Sequence, residues 1–255
     1  MKRALFLVVI FLTLQFFFLV PVSLVNTYVP QLANSSALLS MASLLPQVTM
    51  VVLLHRMGYF TFQSGMAKPK LCSAWAVLLS FLAFAVLVVG TGLLSEVIGL
   101  PDINHDTFQN MLMSPLGIVA VVLGGPVCEE FLFRGAIQGH LVSSGMGAVR
   151  SIVIAAVLFA IIHMNPAQML SAFIMGTFFG WVAYRSGSIA LALMLHVTNN
   201  LCGTLLFRYG VDDESAWVDD MGKAPTLVMA LVLICVGGGV AILLNREFCR
   251  IEQKD

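Results

Sequence analysis

The chain has 255 residues, of which 59% are hydrophobic and only 10% are charged, whereas about 25% of residues are charged in an ordinary soluble domain. This composition excludes a soluble globular domain and predicts an integral membrane protein. The formal net charge is zero, so no bulk electrostatic field argues for nucleic acid or another polyanion as a partner.

Eight apolar stretches have the length expected of membrane-spanning helices, which need about 20 apolar residues each. The first is longer than the apolar core of a signal peptide, so we expect it to be retained as a helix. No internal repeat divides the chain, and we predict one all-α, polytopic membrane domain over residues 1–255. The predicted spans are residues 4–25, 37–54, 73–98, 116–143, 148–164, 167–184, 188–207 and 224–245.

The basic residues predict the orientation of the chain in the membrane. With the N-terminus inside, ten of the 13 Lys and Arg residues fall in cytoplasmic segments, whereas only Arg208 and Lys223 fall outside and Arg134 lies within a span. Because basic residues accumulate on the cytoplasmic side, both termini are predicted to be cytoplasmic in a cell inner or plasma membrane. The cytoplasmic set comprises Lys2, Arg3, Arg56, Lys68, Lys70, Arg150, Arg185, Arg246, Arg250 and Lys254.

Strongly polar side chains are rare within the spans, and they fall in the fourth, fifth and seventh of them. An ionisable side chain costs roughly 2.5–3.5 kcal/mol at the centre of a bilayer, so these groups should be paired, hydrated or used in chemistry. The polar set comprises Glu129, Glu130 and Arg134 in the fourth span, His163 in the fifth, and His196, Asn199 and Asn200 in the seventh.

Three pairs of side chains lie four residues apart and therefore share a helix face. For Glu130 and Arg134, this spacing predicts an intrahelical ion pair that orders a site. The three pairs are Glu130 with Arg134, Phe159 with His163, and His196 with Asn200, for which Asn199 is an alternative polar partner.

The stretch Gly124-Gly125-Pro126 predicts an interruption of the fourth span, since proline is favoured at the first position of a new helix. Glu129 and Glu130 would then lie near the positive end of that helix, toward the outer face. His163 and His196 are expected at a matching depth. We therefore predict an active site in a cavity among helices 4, 5 and 7.

Two hydrolytic mechanisms fit these residue types. A carboxylate and an imidazole can deprotonate water, while a second imidazole and an amide donate hydrogen bonds to a developing oxyanion. Alternatively, Glu129, His163 and His196 form a possible zinc ligand set with water in the fourth position. The GxSxG and HExxH motifs are absent, which disfavours a serine nucleophile and the usual helical zinc protease. Zinc therefore stays possible, and no cofactor is certain.

Three sequence motifs resemble those of the CAAX-protease and bacteriocin-processing family of intramembrane proteases. The stretches EEFLFR, FAIIH and HVTNN match the family motifs EExxxR, FxxxH and HxxxN, in the family's order, within a motif-bearing core of about residues 115–205. The resemblance implies an α-helical intramembrane endopeptidase similar to type II CAAX endopeptidases. Both a metalloprotease and a metal-free, glutamate-dependent mechanism are associated with this family.

The resemblance also implies a role for each matching residue. Carried over, Glu129 and His163 activate water, while His196 and Asn200 support the oxyanion. The resemblance implies that three further residues organise the site without taking a direct part in the chemistry, namely Glu130, Arg134 and Phe159.

We therefore expect an intramembrane endopeptidase that cleaves a peptide or protein tail reaching the cavity from the lipid bilayer, with no nucleic-acid partner. One alternative is a non-catalytic membrane protein for bacteriocin immunity or binding. A less favoured alternative is a proton-coupled transporter, because buried Glu and His also form proton relays. Transport predicts a polar path through both leaflets and commonly repeated halves, and the sequence indicates neither.

Overall fold

The computed structural model describes residues 1–29, 35–59, 73–209 and 217–252, and within these ranges the regular structure is helical, without strands. Eight apolar helices follow the eight predicted spans in order, which confirms the predicted all-α polytopic fold. They are α1 (Lys2–Tyr28), α2 (Ser36–Arg56), α3 (Ala74–Ile98), α4 (Pro115–Ser143), α5 (Ala148–Ile162), α6 (Pro166–Ser186), α7 (Ala190–Arg208) and α8 (Lys223–Glu252). Two short helices, His105–Leu112 and Trp217–Met221, lie between longer ones.

The helix α5 is shorter than the span predicted at residues 148–164. Seven helices in the described ranges are long and apolar enough to cross a membrane, but α5 has only 15 residues. At 1.5 Å per residue it is about 22 Å long, less than the hydrocarbon core of about 30 Å. His163 directly follows the last residue of α5, Ile162.

Two of the long helices, α3 and α4, have a serine side chain as their N-terminal cap. Ser73 Oγ accepts a hydrogen bond from the Ala76 N–H at 3.1 Å, before α3. Ser114 Oγ accepts one from the Gly117 N–H at 2.9 Å, and Pro115 occupies the first position of α4. These caps supply partners to backbone N–H groups that have none within the helix.

The predicted interruption of the fourth span at Gly124-Gly125-Pro126 is wrong. The backbone of Gly124 and Gly125 stays helical, with φ and ψ of −60° and −52° for the first and −56° and −62° for the second. Instead of breaking, α4 forms two wide, π-type segments at Ala120–Gly124 and Glu130–Gln138, the first of which accommodates the proline within a continuous helix. Glu129 therefore lies at the midpoint of α4 rather than in the first turn of a new helix.

Buried apolar side chains form two clusters. The first joins α1, α2, α4 and α5 and includes Phe131 and Phe133, and the second joins α3, α6, α7 and α8 and includes Phe179 and Phe248. Since α4 and α5 belong mainly to one cluster and α7 to the other, the polar residues of these three helices meet where the clusters adjoin.

The helices α3 and α8 approach closely through glycines on both sides. A Cβ atom at Gly90 would lie 3.0 Å from Ile234 Cγ1, and one at Gly237 would lie 2.7 Å from Leu87 Cγ. The next glycine, Gly238, has open space where a Cβ would be. Small residues allow helix backbones to pack closely in a membrane, where the hydrophobic effect gives helices little reason to associate.

Charged residues that support the orientation prediction lie partly outside the described residues, namely Lys68, Lys70 and Lys254. The cytoplasmic position of both termini therefore stays a prediction. The single domain over residues 1–255 also stays a prediction.

We predict that Gly237→Val destabilises the protein and that Gly238→Val does not. Valine at Gly237 overlaps the Leu87 side chain, and overpacking of this kind costs about 1–3 kcal/mol. Thermal unfolding of the detergent-solubilised variants measures the difference. Equal midpoints for the two variants would contradict the proposed close packing of α3 on α8.

Candidate active site

A cavity of about 670 Å³ lies among the helices, and most of the predicted site residues line it. They are Glu129 from α4, Phe159 from α5, His163 directly after α5, and His196, Asn199 and Asn200 from α7. The structure thus brings together side chains from the three predicted helices, although it also adds α2, α3 and α6 to the cavity wall. The two other predicted site residues, Glu130 and Arg134, are buried behind this surface.

Glu130 is the common acceptor of a buried hydrogen-bonded chain. Its Oε1 accepts from Arg134 Nη1 at 2.8 Å and lies 2.8 Å from His196 Nδ1. A carboxylate paired with arginine is ionised and can only accept, so His196 Nδ1 carries a hydrogen. The other ring nitrogen, Nε2, then lies 3.6 Å from Glu129 Oε2 at the cavity surface. The two adjacent glutamates therefore contact opposite nitrogens of one imidazole.

Arg134 has further contacts that hold its guanidinium in place. Its Nη2 donates to the carbonyl oxygen of Gly176 on α6 at 3.1 Å. The guanidinium carbon lies 4.5 Å from the centre of the Phe159 ring and 5.5 Å from that of Phe179, within range of cation–π attraction. The predicted ion pair with Glu130 is therefore one part of a larger set of contacts that ties α4 to α5 and α6.

Phe159 contacts several members of the site. Its ring packs edge to face against His163 and His196, with ring centres 4.8 and 5.8 Å apart, and also against Phe133 at 5.3 Å. A Cβ atom at Gly176 would lie 2.9 Å from Phe159 Cδ1, so glycine is needed there for the ring to keep its position. Phe159 therefore fixes the separation of the two imidazoles.

The last turn of α5 determines which nitrogen of His163 carries a hydrogen. The His163 backbone N–H bonds to the Ala160 oxygen at 3.2 Å, which leaves the Phe159 oxygen free to accept a bond from His163 Nδ1 at 2.8 Å. Since a carbonyl oxygen only accepts, Nδ1 is protonated in this contact. The neutral ring then has its lone pair on Nε2. Met164 follows with a left-handed φ of 46°, which turns the chain sharply after the histidine.

Asn200 satisfies a carbonyl group that the proline in α4 leaves without a partner. In the wide turn Ala120–Gly124, backbone hydrogen bonds span five residues, and the fifth residue after Val121 is Pro126, which has no N–H. Asn200 Nδ2 donates to the Val121 oxygen at 2.8 Å, and Asn200 Oδ1 accepts from Asn199 Nδ2 at 3.1 Å. An amide nitrogen carries two hydrogens, so the bond to Val121 uses one of them.

The described residues do not fit a metal site in this arrangement. No group of three or more His, Cys, Asp or Glu side chains within them is close enough to hold a metal ion. Glu129, His163 and His196, the possible zinc ligands, therefore gain no support as a ligand set.

Comparison with known proteins identifies the domain to which these residues belong. A family model described as type II CAAX prenyl endopeptidase Rce1-like matches residues 111–202. Residues 111–202 form an Rce1-like domain. This confirms the family that the three motifs resemble, and it indicates a CAAX-type intramembrane protease. No curated protein and no solved structure matches the chain.

The Rce1-like domain contains a second contact between α4 and α6 that the sequence analysis missed. Gln138, one turn beyond Arg134, donates from Nε2 to the Gly180 oxygen at 2.8 Å. A Cβ atom at Gly180 would lie 2.6 Å from Gln138 Oε1. Arg134 and Gln138 thus bond to carbonyls that are also one turn apart. In the sequence, the four-residue spacing of Arg134 and Gln138 indicates that both side chains lie on one face of α4.

A buried asparagine that the sequence analysis also missed supports the turn after His163. Asn165 is fully buried, and its Nδ2 donates to Asp102 Oδ1 at 2.7 Å while its Oδ1 accepts from the Ile103 N–H at 3.3 Å. The Ala167 N–H adds a bond to the Pro101 oxygen at 3.2 Å. Buried backbone that is not helical needs such partners, because it has no hydrogen bonds within a helix.

We predict that Arg134→Ala strongly destabilises the protein. It leaves Glu130 as a buried charge without its cation, and breaking a buried ion pair in this way costs about 3–5 kcal/mol. The control is Arg250→Ala, which removes the arginine of an exposed Arg–Glu pair on α8 and should change stability little. Thermal unfolding and membrane abundance measure both variants, and similar losses in the two would contradict the structural role of Arg134.

Proposed function

We propose that the chain is an intramembrane endopeptidase that hydrolyses a peptide bond with a water molecule activated by Glu129 and His163. The observation that supports this most directly is the convergence of Glu129, His163, His196 and Asn200 on one cavity in an Rce1-like domain. A carboxylate and imidazoles on one water-accessible surface inside a lipid-spanning bundle are suited to proton transfer, which a purely structural core does not need.

In the proposed first step, Glu129 takes a proton from the water molecule while His163 Nε2 accepts a hydrogen bond from the same water. The contact of Nδ1 with the Phe159 oxygen favours the tautomer in which Nε2 can accept. The water oxygen adds to the carbonyl carbon of the substrate, and the carbonyl oxygen becomes an oxyanion. Glu129 then gives its proton to the leaving nitrogen as the carbon–nitrogen bond breaks, producing a carboxylic acid and an amine and restoring the Glu129 carboxylate.

The oxyanion is stabilised by donors from α7 in this proposal. His196, when protonated at both nitrogens, donates from Nε2, and Asn200 donates with the amide hydrogen that is not used by Val121. Asn199 lines the same cavity and orients the Asn200 amide through its hydrogen bond. Donors held in place before the reaction need no reorganisation when charge develops, which makes them effective.

Glu130, Arg134 and Phe159 are proposed to organise the site without contacting the substrate. Glu130 holds His196 through Nδ1, Arg134 neutralises Glu130, and Phe159 separates the two imidazoles. Since the chain Glu129–His196–Glu130–Arg134 alternates in charge when His196 is protonated, it carries no net charge into the membrane.

The substrate class that we propose is a peptide or protein tail in or at the membrane, as in CAAX-prenyl-protease-like cleavage. Glu129 lies at the midpoint of α4, so the scissile bond would have to enter the bilayer to react. The cavity wall combines apolar side chains with neutral hydroxyl and amide groups, which suits an extended peptide with apolar side chains. We further propose that the protein lies in a cell inner or plasma membrane with both termini in the cytoplasm.

We predict that Glu129→Gln and His163→Ala each reduce peptide cleavage by at least about 100-fold, the usual scale of general acid–base catalysis. The assay uses the purified protein in liposomes with a quenched fluorescent, farnesylated CAAX-type peptide and, as a broader probe, membrane peptides from cells that lack the protein. Thermal stability should stay near that of the wild type, because neither change breaks the Glu130–Arg134 pair.

The matched controls for this prediction are Glu96→Gln and His140→Ala, which make the same changes at residues outside the cavity and should retain cleavage. Retained turnover in Glu129→Gln or His163→Ala would contradict the catalytic assignment. Protection of cells against a bacteriocin that survives both changes would favour the non-catalytic immunity alternative.

A further inference from the structure

His163 is held in the structure differently from Glu129 and His196. The glutamate and His196 lie within α4 and α7, whereas His163 follows the last residue of α5. A residue at the end of a helix has a helical turn on one side only, so its position also depends on the chain that follows. Here that chain reaches α6 through two residues, Met164 and Asn165.

Met164 has an unfavourable backbone conformation. Its φ of 46° lies in the left-handed region, where the Cβ of a residue other than glycine is crowded by the backbone. The side chain is exposed, so its own packing does not explain this conformation. A strained residue persists only where the surrounding contacts determine the path of the chain. We therefore looked for those contacts at the next residue.

Asn165 is fully buried and ties the turn to the loop between α3 and α4. It occupies the N-cap position of α6, where an asparagine side chain usually bonds to the first helical turn, but it makes no such bond. Instead, its Nδ2 donates to Asp102 Oδ1 at 2.7 Å and its Oδ1 accepts from the Ile103 N–H at 3.3 Å. The Ala167 N–H adds the bond to the Pro101 oxygen. Three hydrogen bonds thus join the turn to this loop.

We propose that Asn165 and Asp102 are positioning residues that fix His163 for the chemical step without contacting the substrate. Neither residue lines the cavity, and Asp102 Oδ1 is itself fixed by a bond from the Asn104 N–H at 3.1 Å. With Asn165 held, Met164 is the single residue between the tie and His163, so the imidazole has little freedom to move. This assignment rests on the proposed peptidase function, because it identifies the step that the imidazole serves.

The first variant for the test is Asn165→Asp, which keeps the shape of the side chain but replaces its donor with an oxygen. Two acceptors then face each other at Asp102, and the turn should move. A displacement of about 1 Å is enough to lower a rate about 100-fold, so we expect kcat for the quenched, farnesylated CAAX-type peptide to fall about ten- to 100-fold. The affinity for an uncleavable, reduced-amide form of this peptide should change less than about twofold, the scale of an unaltered binding surface.

The value of kcat is expressed per molecule that binds the uncleavable peptide, so loss of folded protein does not enter it. A purely structural role would lower the amount of binding-competent protein and leave this kcat unchanged, which would overturn the proposal. Ser40→Ala is the control, because it removes a buried hydroxyl that joins α2 to Ser114 of α4 outside the cavity. It should lower the thermal midpoint and retain kcat, and a loss of kcat equal to that in Asn165→Asp would overturn the specific role of the turn.

The second part of the test repairs the contact. When Asp102→Asn is added to Asn165→Asp, the new amide can donate to the new carboxylate, and most of the lost kcat should return. Asp102→Asn alone keeps an acceptor oxygen and should retain kcat, whereas Asp102→Ala should lower it even if Asn165→Asp does not fold. A double variant no more active than Asn165→Asp, or full kcat in Asp102→Ala, would overturn the pair.

The state of His163 is also measured without turnover, from the ¹⁵N resonances of its ring in liposomes at alkaline pH. These resonances are assigned by their loss in His163→Ala. The wild type should show one tautomer, with the hydrogen on Nδ1, because of the bond to the Phe159 oxygen, and Asp102→Ala should show a mixture. Unchanged resonances in Asp102→Ala would overturn the positioning role. A wild-type protein that shows this response but cleaves no peptide would instead refute the proposed function alone.

Discussion

The arrangement of the site depends on one buried carboxylate, that of Glu130, and on its need for partners inside a membrane. An ionised carboxylate without a cation is costly in a low-dielectric interior, so Arg134 must stay beside it. The same oxygen binds Nδ1 of His196, and this contact directs the opposite ring nitrogen toward Glu129 and the cavity. The position of the surface imidazole is thus set by a charge pair that does not reach the surface.

The helix α6 binds the side chains that extend from α4 and so helps to hold the buried charge pair in place. Arg134 and Gln138 extend from α4 to two carbonyl oxygens of α6, and Gly176 and Gly180 leave the space for these contacts. Close packing at Gly176 also seats Phe159, whose ring contacts both histidines. A polar network that links α4, α6 and α7 and is enclosed by aromatic rings has little freedom to rearrange, which is the property that a catalytic site requires.

The proline in α4 has an effect beyond its own turn. Because α4 widens instead of breaking, a carbonyl is left for Asn200, and Gly124 leaves space for the Gln47 side chain of α2 to pack against α4. The segment before residue 111 carries none of the family motifs, but α2 and α3 contribute polar groups to the cavity wall. A family motif identifies residues that share a chemical role, whereas the cavity is completed by the helices that pack around them.

The sequence by itself determined that the chain is a helical membrane protein, which residues are polar within its spans and which pairs share a helix face, because these properties depend on local composition and on the 3.6-residue period. Its three motifs indicated the family, and the four-residue spacing of Glu130 and Arg134 predicted their ion pair. Only the tertiary structure decided that α4 runs through Pro126, that α5 ends at Ile162, that Gln47 lines the cavity and that Gln138 bonds to α6. These features depend on contacts between helices distant in sequence, which no local pattern encodes.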